Sequence, residues 1–379
     1  MKLIKSKILF DGISERKDMF IGFEDDEIRY VGNCKPTDSS ETILEADTVT
    51  PGFIDSHSHI GMARSGEPSQ EEEANEQMKT IYPLVNSLHS VYMDDPSFTE
   101  SVESGVLYST ILPGSGNVLG GKAVLVRNFS KDIGEAFVMD VGIKAALGYN
   151  PRSTTEWKGD RPSTRMGAIA MLRENFIKAK KMQTLVLTER KVIDEVDPIT
   201  EVFMDILSGK HKMMVHVHKE DDVIVLIQLA NEFGIRIVAN HCADVYRREV
   251  FEALKNASIP IAYGPLDSFP YKVELRHESW RNVEKLLESG AQFSIISDHP
   301  VILQRNMFYT LRHLLRYNLS KADAISKITK EAAEIIGIQN IGQIKPGHKA
   351  SFTVWNGDPF SLSSYPILVI AEGKIAYKE

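Results

Sequence analysis

Pro51-Gly52-Phe53-Ile54-Asp55-Ser56-His57-Ser58-His59 joins a short apolar run to two imidazoles spaced one residue apart. Along a strand, residues i and i+2 point to the same face, so His57 and His59 converge on one point at the strand's end. That is the geometry of a pair of metal ligands. Three later apolar runs end in the same residue types: Met213-Met214-Val215-His216-Val217-His218, Ile235-Arg236-Ile237-Val238-Ala239-Asn240-His241 and Phe293-Ser294-Ile295-Ile296-Ser297-Asp298-His299. Each has strand-like composition and is followed by a helix-like stretch, the mark of repeated βα units. In a (β/α)8 barrel every strand's C-terminus meets at one face, so ligands scattered along the chain share one site.

This set, in this order, resembles the amidohydrolase superfamily: His-X-His after the first barrel strand, single histidines after the fifth and sixth, and an aspartate after the eighth. The resemblance runs over essentially the whole chain. Within it, the stretches 111–121 (Ile-Leu-Pro-Gly-Ser-Gly-Asn-Val-Leu-Gly-Gly) and 142–151 (Gly-Ile-Lys-Ala-Ala-Leu-Gly-Tyr-Asn-Pro) look like an imidazolonepropionase-related subgroup, with Tyr149 standing where an acidic residue is usual. The implied fold is α/β, a (β/α)8 TIM-like barrel with a small β-sandwich domain built from both chain ends. The implied activity is metal-dependent hydrolysis.

Composition agrees with such an enzyme. The 379 residues, 42% hydrophobic and 25% charged, exceed the roughly 250 of a bare barrel. A formal net charge of -8 argues against a general nucleic-acid binder, which needs a basic face. The two cysteines, Cys34 and Cys242, make no disulfide framework, and Cys242 reads as a buried, inert thiol beside His241. No stretch approaches the roughly 20 apolar residues of a membrane span, and the N-terminal residues lack a signal peptide's apolar core. The expected setting is cytoplasmic, with a small-molecule substrate, no nucleic acid, no membrane and a homodimer as default.

Both ends of the chain read as short strands punctuated by Gly and Asp, and neither carries enough apolar area to fold alone. Residues 1–48 and 344–379 are therefore assigned to one composite β-sandwich, and 49–343 to the barrel. Eight barrel strands are expected near 53–57, 105–111, 122–127, 141–147, 212–217, 235–240, 259–263 and 291–297. Helices are expected at 164–174 and 222–233, the second stopped by Gly234.

Water is a poor nucleophile at neutral pH, and a divalent ion lowers the pKa of bound water from about 15.7 to near 7. On the superfamily resemblance, His57, His59 and Asp298 hold a first ion, while His216 and His241 bind a second or serve a single one. His218 shares a face with His216 and competes for the fifth-strand position; His216 is preferred, with His218 as a substrate contact. Lys144 matches the fourth-strand lysine that bridges two ions as a carbamate in binuclear relatives. One or two divalent ions per chain are expected, zinc first, with iron or manganese suited to the same ligands. Asp298 is the expected proton shuttle and His241 a stabiliser of the developing oxyanion; His299 is a candidate to orient Asp298. Gly114, Ser115 and Asn117 lie on a glycine-rich loop whose N–H groups would bind an anion. Arg152 and Arg165, in a polar stretch that would act as a lid, are candidate clamps for a substrate carboxylate.

The resulting expectation is a hydrolase acting on a cyclic or linear amide C–N bond other than a peptide bond. A dipeptidase or prolidase-like peptidase and a lactonase or phosphotriesterase would use the same centre. A non-catalytic scaffold of the same fold is the alternative from another class.

Overall fold

The computed structural model describes residues 1–37, 41–153 and 159–379. Four strands open the chain: β1 (Lys2–Phe10), β2 (Glu15–Glu24), β3 (Glu27–Gly32) and β4 (Glu41–Pro51). The barrel region follows with β5 (Phe53–Ser58), β6 (Ile81–Asn86), β7 (Val106–Ile111), β8 (Leu119–Arg127) and β9 (Phe137–Ala146). It continues through β10 (Met213–Val217), β11 (Ile237–His241), β12 (Ile261–Tyr263) and β13 (Phe293–Ile295). The C-terminal strands are β14 (Phe352–Trp355), β15 (Pro366–Ala371) and β16 (Lys374–Lys378).

The barrel sheet runs β13-β12-β11-β10-β9-β8-β7-β5, with β6 paired to β8. Strands β5, β7, β10, β11, β12 and β13 are buried along their whole length, as parallel strands covered on both sides must be. Its two free edges meet where the Asp298 amide donates to the His57 carbonyl (3.1 Å), the His59 amide donates to the His299 carbonyl (3.0 Å), and the hydroxyls of Ser56 and Ser294 lie 2.7 Å apart. The result is a nearly closed, TIM-like barrel.

One strand departs from the expected repeat. β8 is antiparallel to both β7 and β9. The reason is length: residues 112–118 are too few for a helical crossover, which takes about a dozen residues, so the chain turns back on itself. The start of β8, rather than its end, therefore reaches the face where the other strands finish. The helix expected at 164–174 runs over Arg165–Leu187, started by the Thr164 hydroxyl accepting from the Gly167 amide. The helix Glu220–Phe233 ends at Gly234, which adopts φ +67° as a left-handed cap.

The chain ends join in one hydrogen-bonded sheet, ordered β16-β15-β14-β4-β1-β2-β3. β4 is the joint: it pairs parallel to β1 and antiparallel to β14, so the C-terminal strands extend the N-terminal sheet at its edge. Tyr108 on β7 ties this sheet to the barrel through the Ser351 hydroxyl (3.0 Å) and the Glu372 carboxylate (3.1 Å), which also receives Arg127 Nε at 2.8 Å. Among the described residues, no helix is long and apolar enough to cross a membrane.

Candidate metal centre

Four barrel strands deliver their polar ends to one point. From β5, His57 is fully buried and His59 follows at the strand's end. Nε2 of His57 lies 3.4 Å, and Nε2 of His59 3.3 Å, from Oδ1 of Asp298, which follows β13. Nδ1 of His241, at the end of β11, is 3.8 Å from Oδ2 of the same carboxylate. His241, Cys242 and Asp298 hold φ of +75°, +54° and +51°. Non-glycine residues in this region cost about 1–3 kcal/mol each and cluster at functional sites. His216, His218 and His241 form a second group whose ligand atoms lie within 4.8 Å of one another, and the His218 and His241 rings stack at 4.8 Å. The structure thus brings His218 into the same group as His216 rather than leaving it in the loop.

Hydrogen bonds fix which nitrogen each ring offers. Nδ1 of His59 lies 2.7 Å from the Leu112 carbonyl and Nδ1 of His241 lies 3.0 Å from the Gly264 carbonyl. A carbonyl only accepts, so each Nδ1 carries a proton and Nε2 is the nitrogen left to face the centre. Nε2 of His59 and Oδ1 of Asp298 thus face each other, as two ligands of one ion would. Both nitrogens of His57, Nδ1 of His216 and His218, Nε2 of His241 and Nζ of Lys144 are buried without a hydrogen-bond partner. Such orphaned groups are costly unless they bind something, and this donor set of imidazoles, carboxylate and amine fits a divalent ion.

Burial, reinforced by the Lys144 charge, pushes the His57 imidazole well below its usual range; burial and neighbouring cations do the same to His216 and His218, and take His241 to about 4. Neutral rings are the ligating form. Burial alone would raise Asp298, but His241, His57 and His59 outweigh it and hold the carboxyl well below its ordinary range. Lys144 on β9 has 0% exposure, and burial, opposed by Asp298 and reinforced by Lys272, lowers its amine to about 7.

The expected substrate contacts are placed differently. The Gly114 amide donates to the Ala74 carbonyl (2.6 Å) and the Gly116 amide to Asn75 Oδ1 (2.7 Å). Asn117 Nδ2 donates to the carbonyls of Glu76 and Lys79, both at 2.8 Å, and Ser115 is buried in the same turn. These bonds pin the loop to residues 74–80. Arg152 Nε donates to the Gly148 carbonyl (2.8 Å) and Arg165 Nε to Asp222 Oδ1 (2.6 Å), so each guanidinium has a protein partner. Residues 154–158 of the expected lid lie outside the described residues. His299 Nδ1 accepts from the Gln304 amide (3.3 Å) and so braces the barrel's closing loop rather than Asp298. Cys242 is fully buried, and burial raises its thiol far above the usual range.

Sequence reasoning missed two acidic residues. Asp55, fully buried, accepts from the Ser297 hydroxyl, the Ser297 and His57 amides (3.3 and 3.2 Å) and Gln304 Nε2 (2.8 Å), locking β5 to the segment that carries Asp298. Its i, i+2 spacing from His57 was the available signal. Glu274, beyond β12, reaches His216 with Oε1 3.4 Å from Nε2. It lies in a charged loop with no strand periodicity, so no pattern marked it.

Residues 168–376 match the amidohydrolase family. The chain belongs to that family. An amidohydrolase from Thermotoga maritima MSB8 superposes with a TM-score of 0.92 at 30% identity, each chain covered in full. A prolidase complexed with N-methylphosphonate-L-proline superposes with a TM-score of 0.64 at 14% identity, again over both whole chains; that likeness shows the fold alone. Among sequences, amidohydrolase tasK of Hapsidospora irregularis is 24% identical over 373 residues, which span 91% of this chain and 38% of that protein. This amidohydrolase thus spans less than half the length of that curated relative.

Proposed function

We propose that the chain is a metal-dependent amidohydrolase that hydrolyses the C–N bond of a cyclic or linear amide in a small-molecule substrate, with zinc favoured and iron or manganese suited to the same ligands. The observation that carries this reading is the set of buried imidazole and amine nitrogens without partners, gathered around one strained aspartate at the barrel's C-terminal face. His57, His59 and Asp298 would hold one ion; His216 and His241, with Lys144, would hold a second. A divalent cation there supplies Lewis acidity, which makes water nucleophilic at neutral pH and polarises a carbonyl.

The chain's own groups supply the rest. Asp298 is the ionised carboxylate, with Oδ1 engaged by His57 and His59; Oδ2 accepts the proton of the attacking water and returns it to the leaving nitrogen. His241, its ring fixed by the Gly264 carbonyl, and His218 stacked upon it line the space where a carbonyl oxygen would gain charge. The neutral amine that burial favours in Lys144 is the form that adds carbon dioxide to become a carbamate.

The test is a turnover panel on the metal-loaded chain, containing ring amides, N-acyl amines, dipeptides, lactones and phosphotriesters. The proposal expects release of amine or ring opening from amides other than dipeptides. Preference for dipeptides, or for esters lacking nitrogen, would replace it with a peptidase or lactonase reading.

A further inference from the structure

Glu274 is 2% exposed, yet it is brought to the histidine cluster by a single 3-10 turn, Val273–Leu275, rather than by a strand. Both of its oxygens have partners. Oε2 accepts from the Tyr149 amide at 2.8 Å. Oε1 lies 2.7 Å from Nζ of Lys272, whose amine also donates to Asn150 Oδ1 at 3.0 Å. The same Oε1 faces Nε2 of His216 at 3.4 Å and Nε2 of His218 at 4.0 Å.

Space for the carboxylate has been cleared on the opposite side. A Cβ on Gly148 would stand 2.6 Å from Glu274 Oε2 and 3.3 Å from Asp222 Oδ2, and Gly148 also holds φ +80°. Only glycine allows the carboxylate to sit there without a shift.

A neutral imidazole carries one proton, and the nitrogen opposite it carries the lone pair. The nearest acceptor to His216 Nε2 is Glu274, while His216 Nδ1 is buried with no partner. His241 shows the complementary choice: Nδ1 bound to a carbonyl, Nε2 without a partner. We propose that Glu274 is a positioning residue for the metal centre: its carboxylate accepts the Nε2 proton of His216 and so turns the Nδ1 lone pair toward the ion that His216 shares with His241. The inference rests on the reading that His216 binds a divalent ion. Lys272 and the Tyr149 amide hold the carboxylate in place, and Gly148 leaves it room. Such carboxylate–histidine–metal arrangements orient the ring and raise its basicity.

The experiment titrates the full chain with Zn²⁺ against a competing chelator and reads the number of ions bound and each dissociation constant. Wild type is compared with Glu274→Gln, Glu274→Met, Gly148→Ala and, as a control for the ligand itself, His216→Ala. Circular dichroism and melting confirm that each variant is folded. Glu274→Gln keeps an acceptor oxygen and should stay within about threefold of wild type, while Glu274→Met should weaken the ion bound by His216 about 10- to 100-fold, the range for losing an outer partner of a ligating histidine. Gly148→Ala should weaken the same ion although it removes no acid and no imidazole. Were Glu274→Met to match wild type, or to lose more than about 100-fold together with Glu274→Gln, the positioning role would be overturned, the latter result making Glu274 a direct ligand. If His216→Ala binds metal as wild type does, the underlying assignment of His216 fails instead, and this inference with it.

Discussion

Nε2 of His59 lies 3.3 Å from Oδ1 of Asp298 while Nδ1 of the same ring is held 2.7 Å from the Leu112 carbonyl. The ring is thus clamped with Nε2 facing the carboxylate, which suits the roles proposed for Asp298: it closes the ligand set and carries the proton.

Replacing Asp298 by Asn keeps the size and removes the base. Turnover should fall about 10²- to 10⁴-fold, the usual contribution of a positioned proton-transfer group, with the melting profile little changed. Steady-state kinetics on any amide that wild type hydrolyses checks this, and near-normal kcat would remove Asp298 from the chemistry.

Lys144→Ala should lower metal content by about one ion per chain, as loss of a bridging ligand in a two-ion site requires. Elemental analysis of wild type and variant, purified identically, is the measurement. Equal metal content would make Lys144 an ordinary buried lysine.

Asn117 offers a contrast. Its side-chain amide spans the Glu76 and Lys79 carbonyls, both at 2.8 Å. Asn117→Ala should therefore destabilise the fold by about 1–3 kcal/mol, the cost of stranding buried acceptors, while leaving metal affinity unchanged. Chemical denaturation and metal titration on the same sample separate the two effects.

Lys212, at the start of β10, donates to the Ile335 carbonyl at 2.5 Å, and burial followed by Arg236 lowers its amine to about 8. Between about pH 8 and the model-peptide value of 10.5, the unfolded chain binds the proton that the folded chain has released. Stability therefore rises with pH through that window and this contribution flattens outside it. Lys212→Met removes the titrating group, so the difference in unfolding free energy between wild type and variant should change across that window and be constant below about pH 7.

Strand-end polarity made the centre legible: His57, His59, His216, His241 and Asp298 each close an apolar run, and parallel strands carry such residues to one face. The reversal of β8 was not legible in that way, because a buried apolar run looks the same in either direction; only the shortness of 112–118 betrays it. The merging of the chain ends into one sheet depends on the pairing of β4 with β14, a contact between residues far apart in sequence that no local pattern encodes. Glu274 and Lys272 were hidden for a related reason: loop residues follow no periodicity, and their placement is decided by the space at Gly148 and the amide of Tyr149. Nor did the glycines of 114–121 announce that the amides of Gly114 and Gly116 bond to the neighbouring Ala74 and Asn75, because a glycine-rich loop carries no periodicity that names its partners.

On the proposed function, turnover by this amidohydrolase depends on a bound divalent ion. Protein purified without chelators or a metal-affinity tag is analysed for metal, stripped, and assayed on the amide panel before and after Zn²⁺ is returned. One or two ions per chain, loss of turnover on stripping and recovery on reloading are expected. A chain that binds no ion even after metal is added back, or whose turnover is indifferent to stripping, would contradict the proposal.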